Sequence, residues 1–168
     1  MSGRLKYSIF KTDMGWVGIL ASVRGLLAAT LPQPTASAAR QLLKRVNEAT
    51  RSPDLFPDLV KRLKEYYCGC KVAFPDKLDL TGATPFQQAV WTAARRIPYS
   101  ETRSYRWVAA QIGKPQAARA VGQALGRNPL AIIVPCHRVV ASDGGLGGFG
   151  WGLKMKQQLL RREVGQNG

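Results

Sequence analysis

The chain is poor in the side chains that build metal centres. It has one histidine, His137, and three cysteines, Cys68, Cys70 and Cys136, among 168 residues. One imidazole and three thiols at these spacings do not supply a four-ligand site, so the sequence gives no cofactor or metal expectation. An odd number of cysteines fits a reducing compartment better than a disulfide framework. No apolar run is long enough to span a bilayer, and "MSGRLKYSIFKTDMGW" lacks the long apolar stretch of a secretory signal. The expectation is a soluble cytoplasmic protein, nuclear in a eukaryote, with no membrane partner. There is no internal repeat and no low-complexity segment. Acidic residues are also scarce: 10 Asp+Glu stand against 25 Lys+Arg, a net charge of +15. A solvated basic surface explains part of that excess. Polyanions, nucleic acid first, are the partners it attracts.

What is present divides into two parts. "LKYSIF", "GWVGILAS" and "GLLAATLP" within residues 5–31 are short apolar or alternating runs separated by turn residues, and read as strands. Residues 35–49 and 57–68 read as helices, the first opening at a Thr or Ser cap and the second with Pro57 in its first turn. A turn-rich stretch near residues 76–84 follows. It sets the expected boundary between a small α+β domain, residues 1–80, and a mainly helical domain, residues 81–168. The second domain's helices are expected at 84–98, 104–113, 115–126 and 153–163.

The middle two of these are joined by Gly113-Lys114-Pro115, which is helix-turn-helix spacing. At about 100° per residue, Ala117, Val121, Ala124 and Leu125 fall on one face. Arg119 points away from them, beside the small or polar Ala118, Gly122 and Gln123. A lone cation on a flat helix face can enter a groove. A solvated arginine among alanines is the simpler reading of the helix by itself.

In "LAIIVPCHRVV" (130–140) an apolar run is interrupted at Pro135, so the side chains that follow are presented at a bend. Cys136 can be a buried small hydrophobe, or a nucleophile if a base or cation stabilises its thiolate. His137 and Arg138 stand next to it. Neighbours on extended backbone point to opposite faces, so direct Cys–His contact does not follow from adjacency, and a bridging water is an alternative. Glu163 lies between Leu159 and Leu160 on the last helix's wheel. A carboxylate there needs a partner, and His137 and Lys156 both compete for it. If His137 and Glu163 favour the thiolate, the Cys136 pKa is expected below the ordinary value of about 8.5. The "GGLGGFG" loop (144–150) formally matches a dinucleotide fingerprint. It lacks the βαβ unit and the acidic residue, and reads instead as a loop that admits a planar group.

Together, "TPFQQAVW", "IPYSETRSY", "ARAVGQALGRNP", "PCHRVV" and "LKMKQQLLRRE" resemble the O6-alkylguanine-DNA alkyltransferase family, in order from Thr84 to Glu163. The resemblance implies an α+β N-terminal domain and a winged-helix-like C-terminal domain. It implies single-turnover transfer of an alkyl group from O6-alkylguanine (and O4-alkylthymine) in double-stranded DNA to Cys136. His137, through a water, and Glu163 would promote the thiolate. Arg119 would enter the minor groove in place of the extruded base, with Ala118 and Gln123 on the same DNA-facing helix. Tyr105 would crowd the phosphate and contact the flipped base. Asn128 would be the hinge between recognition helix and active-site strand. Carbonyls of Cys136 and Val139 would read the guanine amino group. Phe149, Gly150 and Trp151 would line the pocket, where relatives often carry Tyr-Ser and a small residue. The protein is expected to act as a monomer. The rivals are a helix-turn-helix lesion sensor without transfer and a cysteine hydrolase using Cys136 and His137.

Overall fold

Turn chemistry and alternating burial build the first sheet. Strands β1 (Leu5–Thr12) and β2 (Gly15–Ser22) pair antiparallel, from Lys6 opposite Ala21 to Thr12 opposite Gly15. The Thr12 hydroxyl closes the turn, donating to the Gly15 carbonyl at 2.7 Å and accepting from the Met14 amide at 3.2 Å. Gly15 sits at φ +133, and a Cβ there would come 2.6 Å from the Gln33 carbonyl oxygen, so the position requires glycine. Strand β3 (Gly25–Ala29) pairs antiparallel with β2. The structure, a computed structural model, describes residues 4–148 and 151–165.

Helix α1 (Ala36–Leu42) is capped by Thr35, whose hydroxyl accepts from the Ala38 amide at 3.0 Å. The sequence reading ran this helix to residue 49, which the structure corrects. Leu43 is extended, Arg45 is left-handed at φ +68, and a short 3-10 turn covers Val46–Glu48. The chain then adds β4 (Ala49–Arg51), parallel to β1, giving the sheet order β3-β2-β1-β4. Tertiary pairing overrides helix propensity here: Leu43 and Val46 are buried with Leu5 and Leu20 in one apolar cluster. Helix α2 (Pro57–Tyr67) starts with proline at its first turn, as read, and buries Leu59, Leu63, Tyr66 and Tyr67. Successive residues Val17–Ala21 of β2 are all buried, so both faces of that strand are covered.

The chain divides into two compact units. The first is 1–81 with 129–133; the second is 82–128 with 134–168. A single boundary near residue 80 therefore misplaces 129–133. That segment returns to extend β3: Ala29 donates to the Pro129 carbonyl at 2.9 Å and Ala131 donates to the Ala29 carbonyl at 3.0 Å.

In the second unit, helix α3 (Pro85–Ala94) opens with a capping box between Thr84 and Gln87. The Trp91 indole of α3 donates to the Ala124 carbonyl at 2.9 Å. Helix α4 (Tyr105–Gln111) is capped by the Ser104 hydroxyl, and α5 (Ala118–Gly126) buries Val121, Ala124 and Leu125. The α5 helix begins three residues later than its proline suggested, because Ala117 and Lys114 form a turn first. A two-residue parallel ladder joins β5 (Arg103–Ser104) to β6 (Val139–Val140), and α6 (Leu153–Gly165) follows. No helix among the described residues is long and apolar enough to cross a membrane.

Candidate functional site

Pro135 ends the apolar run, and Cys136–Arg138 form a 3-10 turn instead of extended strand. With three residues per turn, successive side chains fan about 120° apart. Three adjacent residues can therefore address three surroundings. Cys136, only 5% exposed, lines a cavity of about 530 Å³ in the second unit. His137 and Arg138 turn to Glu163 of α6. His137 Nε2 lies 2.6 Å from Glu163 Oε2, and Arg138 donates from Nε to Oε1 at 2.9 Å and from its terminal nitrogen to Oε2 at 3.2 Å. The Ser100 amide donates to Glu163 Oε1 at 3.0 Å. Arg138 also donates to the Ile97 carbonyl at 2.8 Å.

Of the two residues the sequence offered to Glu163, His137 is in hydrogen-bond contact with it, and Arg138 and the Ser100 amide join it there. Burial alone would raise the Glu163 carboxyl, but the hydrogen bonds of His137 and Arg138 and the Arg138 charge outweigh it and hold the group at about 2. His137 goes the other way. Burial lowers it despite Glu163, so the imidazole is neutral at pH 7. Lys156 is fully buried on α6 and donates to the Val139 carbonyl at 2.6 Å, the Leu146 carbonyl at 2.5 Å and the Gly148 carbonyl at 3.0 Å. Burial lowers its ammonium to about 8.

The thiol does not follow the expectation of a depressed pKa. Burial pushes Cys136 up; the Asn128 amide, donating to Sγ at 3.3 Å, and the Lys156 charge offset only part of that. The resting group is a thiol. Asn128 is itself buried and its amide also donates to the Val134 carbonyl at 2.9 Å, so it ties the end of α5 to the residues before Cys136.

The other cavity walls come from α4, α5 and the loop after β6. Tyr105, Ala118, Arg119 and Gln123 all line it, as does Arg106, which the sequence reading passed over. Arg119 is exposed, opposite buried Val121, Ala124 and Leu125. The Tyr105 hydroxyl donates to the Gly148 carbonyl at 3.1 Å, and burial raises its pKa, so it stays protonated. Gly147, at φ +70, lies so close that a Cβ would stand 2.7 Å from the Tyr105 hydroxyl oxygen. Val139 is buried in β6 with its carbonyl accepting from Lys156, and Trp151 is half-buried ahead of α6; neither is among the described residues lining the cavity. Phe149 and Gly150 lie outside the described residues. Arg138 as a second grip on Glu163 was missed, although a cation next to His137 was the available signal. The Lys156 contacts leave no sequence trace, because all three acceptors are backbone.

Comparison with known proteins places this geometry. Residues 85–165 match the family model described as 6-O-methylguanine DNA methyltransferase, DNA binding domain. A methylated-DNA–protein-cysteine methyltransferase of Mycolicibacterium paratuberculosis is 52% identical over 114 residues, 68% of each chain. One from Methanosarcina acetivorans is 37% identical across 94% of this chain and 97% of its own. The crystal structure of Mycobacterium tuberculosis OGT in complex with DNA matches with a TM-score of 0.81 and 39% identity, over 96% of this chain and 94% of that one. A cysteine in the wall of a cavity that also holds Tyr105 and Arg119, and the 37% identical relative that matches along 94% of the chain, agree: the chain belongs to the methylated-DNA–protein-cysteine methyltransferase family.

Proposed function

We propose that the protein repairs O6-alkylguanine in DNA by moving the alkyl group, once, to Cys136. The observation that carries this reading is the double placement of the 3-10 turn. Cys136 faces a 530 Å³ cavity while the next residue is locked to a buried carboxylate. In the reaction the Sγ–carbon bond forms and the carbon–O6 bond breaks. The bonding electrons stay with guanine, which regains a proton. The thiol proton leaves through a water to neutral His137, and Glu163 stabilises the imidazolium that results. A raised thiol pKa makes this proton removal part of the transfer step. Protonated Tyr105 is a donor to the departing base, whose oxygen and ring nitrogens need hydrogen bonds to leave.

The base must leave the stack before Sγ can reach O6-linked carbon. Exposed Arg119, on a face otherwise made of Ala118, Gly122 and Gln123, suits insertion into the minor groove as the base turns out. The +15 net charge supports binding to the phosphate backbone. One chain contains every group used, so a monomer suffices. A lesion sensor without transfer would have no use for a buried His137–Glu163 pair behind an intact cysteine. The test is Cys136→Ser. It should bind duplex DNA containing O6-methylguanine with affinity within about threefold of the parent and transfer nothing. Peptide mapping of the parent after reaction should place the added methyl on Cys136. A methyl on Cys68 or Cys70 would overturn the reading.

A further inference from the structure

The first unit has a cavity of its own, of about 410 Å³, that the transfer chemistry does not use. It is bounded by the start of β1, the turn between β2 and β3, the residues leading into α2, and the stretch before residue 78. Its floor is aliphatic: Ala21, Leu26 and Leu55. Two of the five exposed large hydrophobic residues described in the chain line it, Val23 at 80% and Phe56 at 38% exposure. Exposed apolar side chains scattered singly need no explanation, but two converging on a concave apolar floor do. Phe56 is held at φ +46, where a bulky side chain is rare, and that conformation is kept while its ring remains half in solvent.

The unpaired charge around this floor is positive, because the one carboxylate in the lining, Asp76, is held by Arg62. Arg4, Lys6, Arg24 and Lys77 line the cavity and are all exposed. None of the salt bridges among the described residues engages them. The acidic groups nearby are already committed. Asp76 accepts two bonds from Arg62, at 2.7 and 2.8 Å, and Asp79 accepts from Ser22 and Thr81. Cations drawn from separate chain segments around an apolar floor repel one another until an anion joins them.

From this we infer that the cavity is a docking site for an acidic peptide segment of a partner protein that carries an apolar side chain next to its carboxylates. The apolar side chain enters between Val23, Phe56 and the aliphatic floor, and the carboxylates meet the four cations. A single strand of nucleic acid fits less well. Its bases need flat aromatic platforms, and Phe56 is the one aromatic residue on a wall otherwise aliphatic. The site is independent of alkyl transfer, since no residue of the Cys136 cavity contributes to it.

The experiment uses the full chain and a fluorescein-labelled hexapeptide of four aspartates followed by leucine and phenylalanine. Anisotropy should rise to saturation, and the methyl resonances of Val23, Leu26 and Leu55 should move in NMR spectra. Combined Arg24→Glu and Lys77→Glu should weaken binding by at least about tenfold. Val23→Ser, at an exposed position, should weaken it by about threefold or more, as should replacing the peptide's leucine and phenylalanine with serine. Alkyl transfer to Cys136 from free O6-benzylguanine by these variants should match the parent, which shows that they fold. Equal binding of the serine peptide would mean general attraction to a basic protein and would overturn the proposal. So would unmoved Val23 and Leu55 methyls, or an oligothymidylate of equal charge that shifts those methyls at lower concentration than the peptide.

Discussion

The two units bury polar groups in different ways. In the first, the buried polar residues are Ser8, inside β1, and Thr12, Thr30 and Asp79, whose side chains close turns and tie loops. In the second they are Asn128, His137, Arg138, Lys156 and Glu163. The first unit also has an ion pair, Arg62 with Asp76, but its side chains keep 25% and 16% exposure. The pair of Glu163 with His137 has 1% on each side. Burying charge costs several kcal/mol per ion unless partners repay it. The contrast shows where the molecule tolerates that cost: around Cys136, where a held carboxylate and a neutral imidazole are useful, and not where a fold alone is required.

The comparison breaks most visibly at Glu163. Replacing it with Gln leaves Arg138 buried without its countercharge, so unfolding free energy should drop by roughly 3–5 kcal/mol. Transfer from free O6-benzylguanine should slow as well, by about a hundredfold or more. Denaturant melts and single-turnover rates measure the two. A loss below about 1 kcal/mol would show that the buried pair is no more important than a surface one.

The acid limb of stability sharpens the same point. Glu163 is held at about 2 in the fold, against an ordinary 4.5. A depressed carboxyl stabilises the fold fully above the ordinary value and loses that contribution as pH falls from 4.5 towards 2. The parent should therefore lose on the order of 2–3 kcal/mol across this window from Glu163. Glu163→Gln should show a correspondingly flatter limb in urea melts run through the window. An unchanged slope would place the acid sensitivity elsewhere.

Lys156 comes next. Lys156→Met removes three donors from the Val139, Leu146 and Gly148 carbonyls, and with them the anchor of the loop that accepts the Tyr105 hydroxyl. Transfer should fall about tenfold with duplex DNA and free base alike, since both use that loop. A defect confined to DNA substrates would assign Lys156 to DNA contact instead.

Much of this was legible in the sequence, for identifiable reasons. Alternation and turn residues marked β1 to β3, and Thr84 with the proline after it marked the start of α3. These are local signals. Strand β4 was not legible, because three residues gain their strand character only from pairing with β1 across the sequence. Residues 129–133 were assigned to the wrong unit for the same reason. At the site, one short motif pointed to Cys136 and His137, and the wheel of the last helix pointed to Glu163 as a carboxylate in need of a partner. The state of the thiol did not follow, because burial depends on what surrounds Cys136 in space, and burial raises its pKa.

A smaller effect is expected at Arg119. It is exposed and opposite the packed face of α5, so Arg119→Ala should change stability by less than about 0.5 kcal/mol. Repair in duplex DNA should fall by about tenfold or more while transfer from free O6-benzylguanine stays within about twofold. Equal losses on both would make Arg119 structural. The smallest effect belongs to the Arg62–Asp76 pair of the first unit. Arg62→Ala should cost about 1 kcal/mol in denaturant melts and leave transfer unchanged.

The central claim is that Cys136 accepts one alkyl group and is then spent. A thioether carbon on Sγ has no good leaving group, and water attack on it is far harder than hydrolysis of an acyl-enzyme. The direct measurement is a titration of the full chain with excess duplex DNA containing O6-methylguanine, followed by counting repaired guanines against active protein and by intact mass. The account predicts a plateau at one methyl per chain and a single added methyl in the mass. Repaired guanine that continues to rise well beyond one equivalent, with the protein mass unchanged, would contradict it and favour a hydrolase.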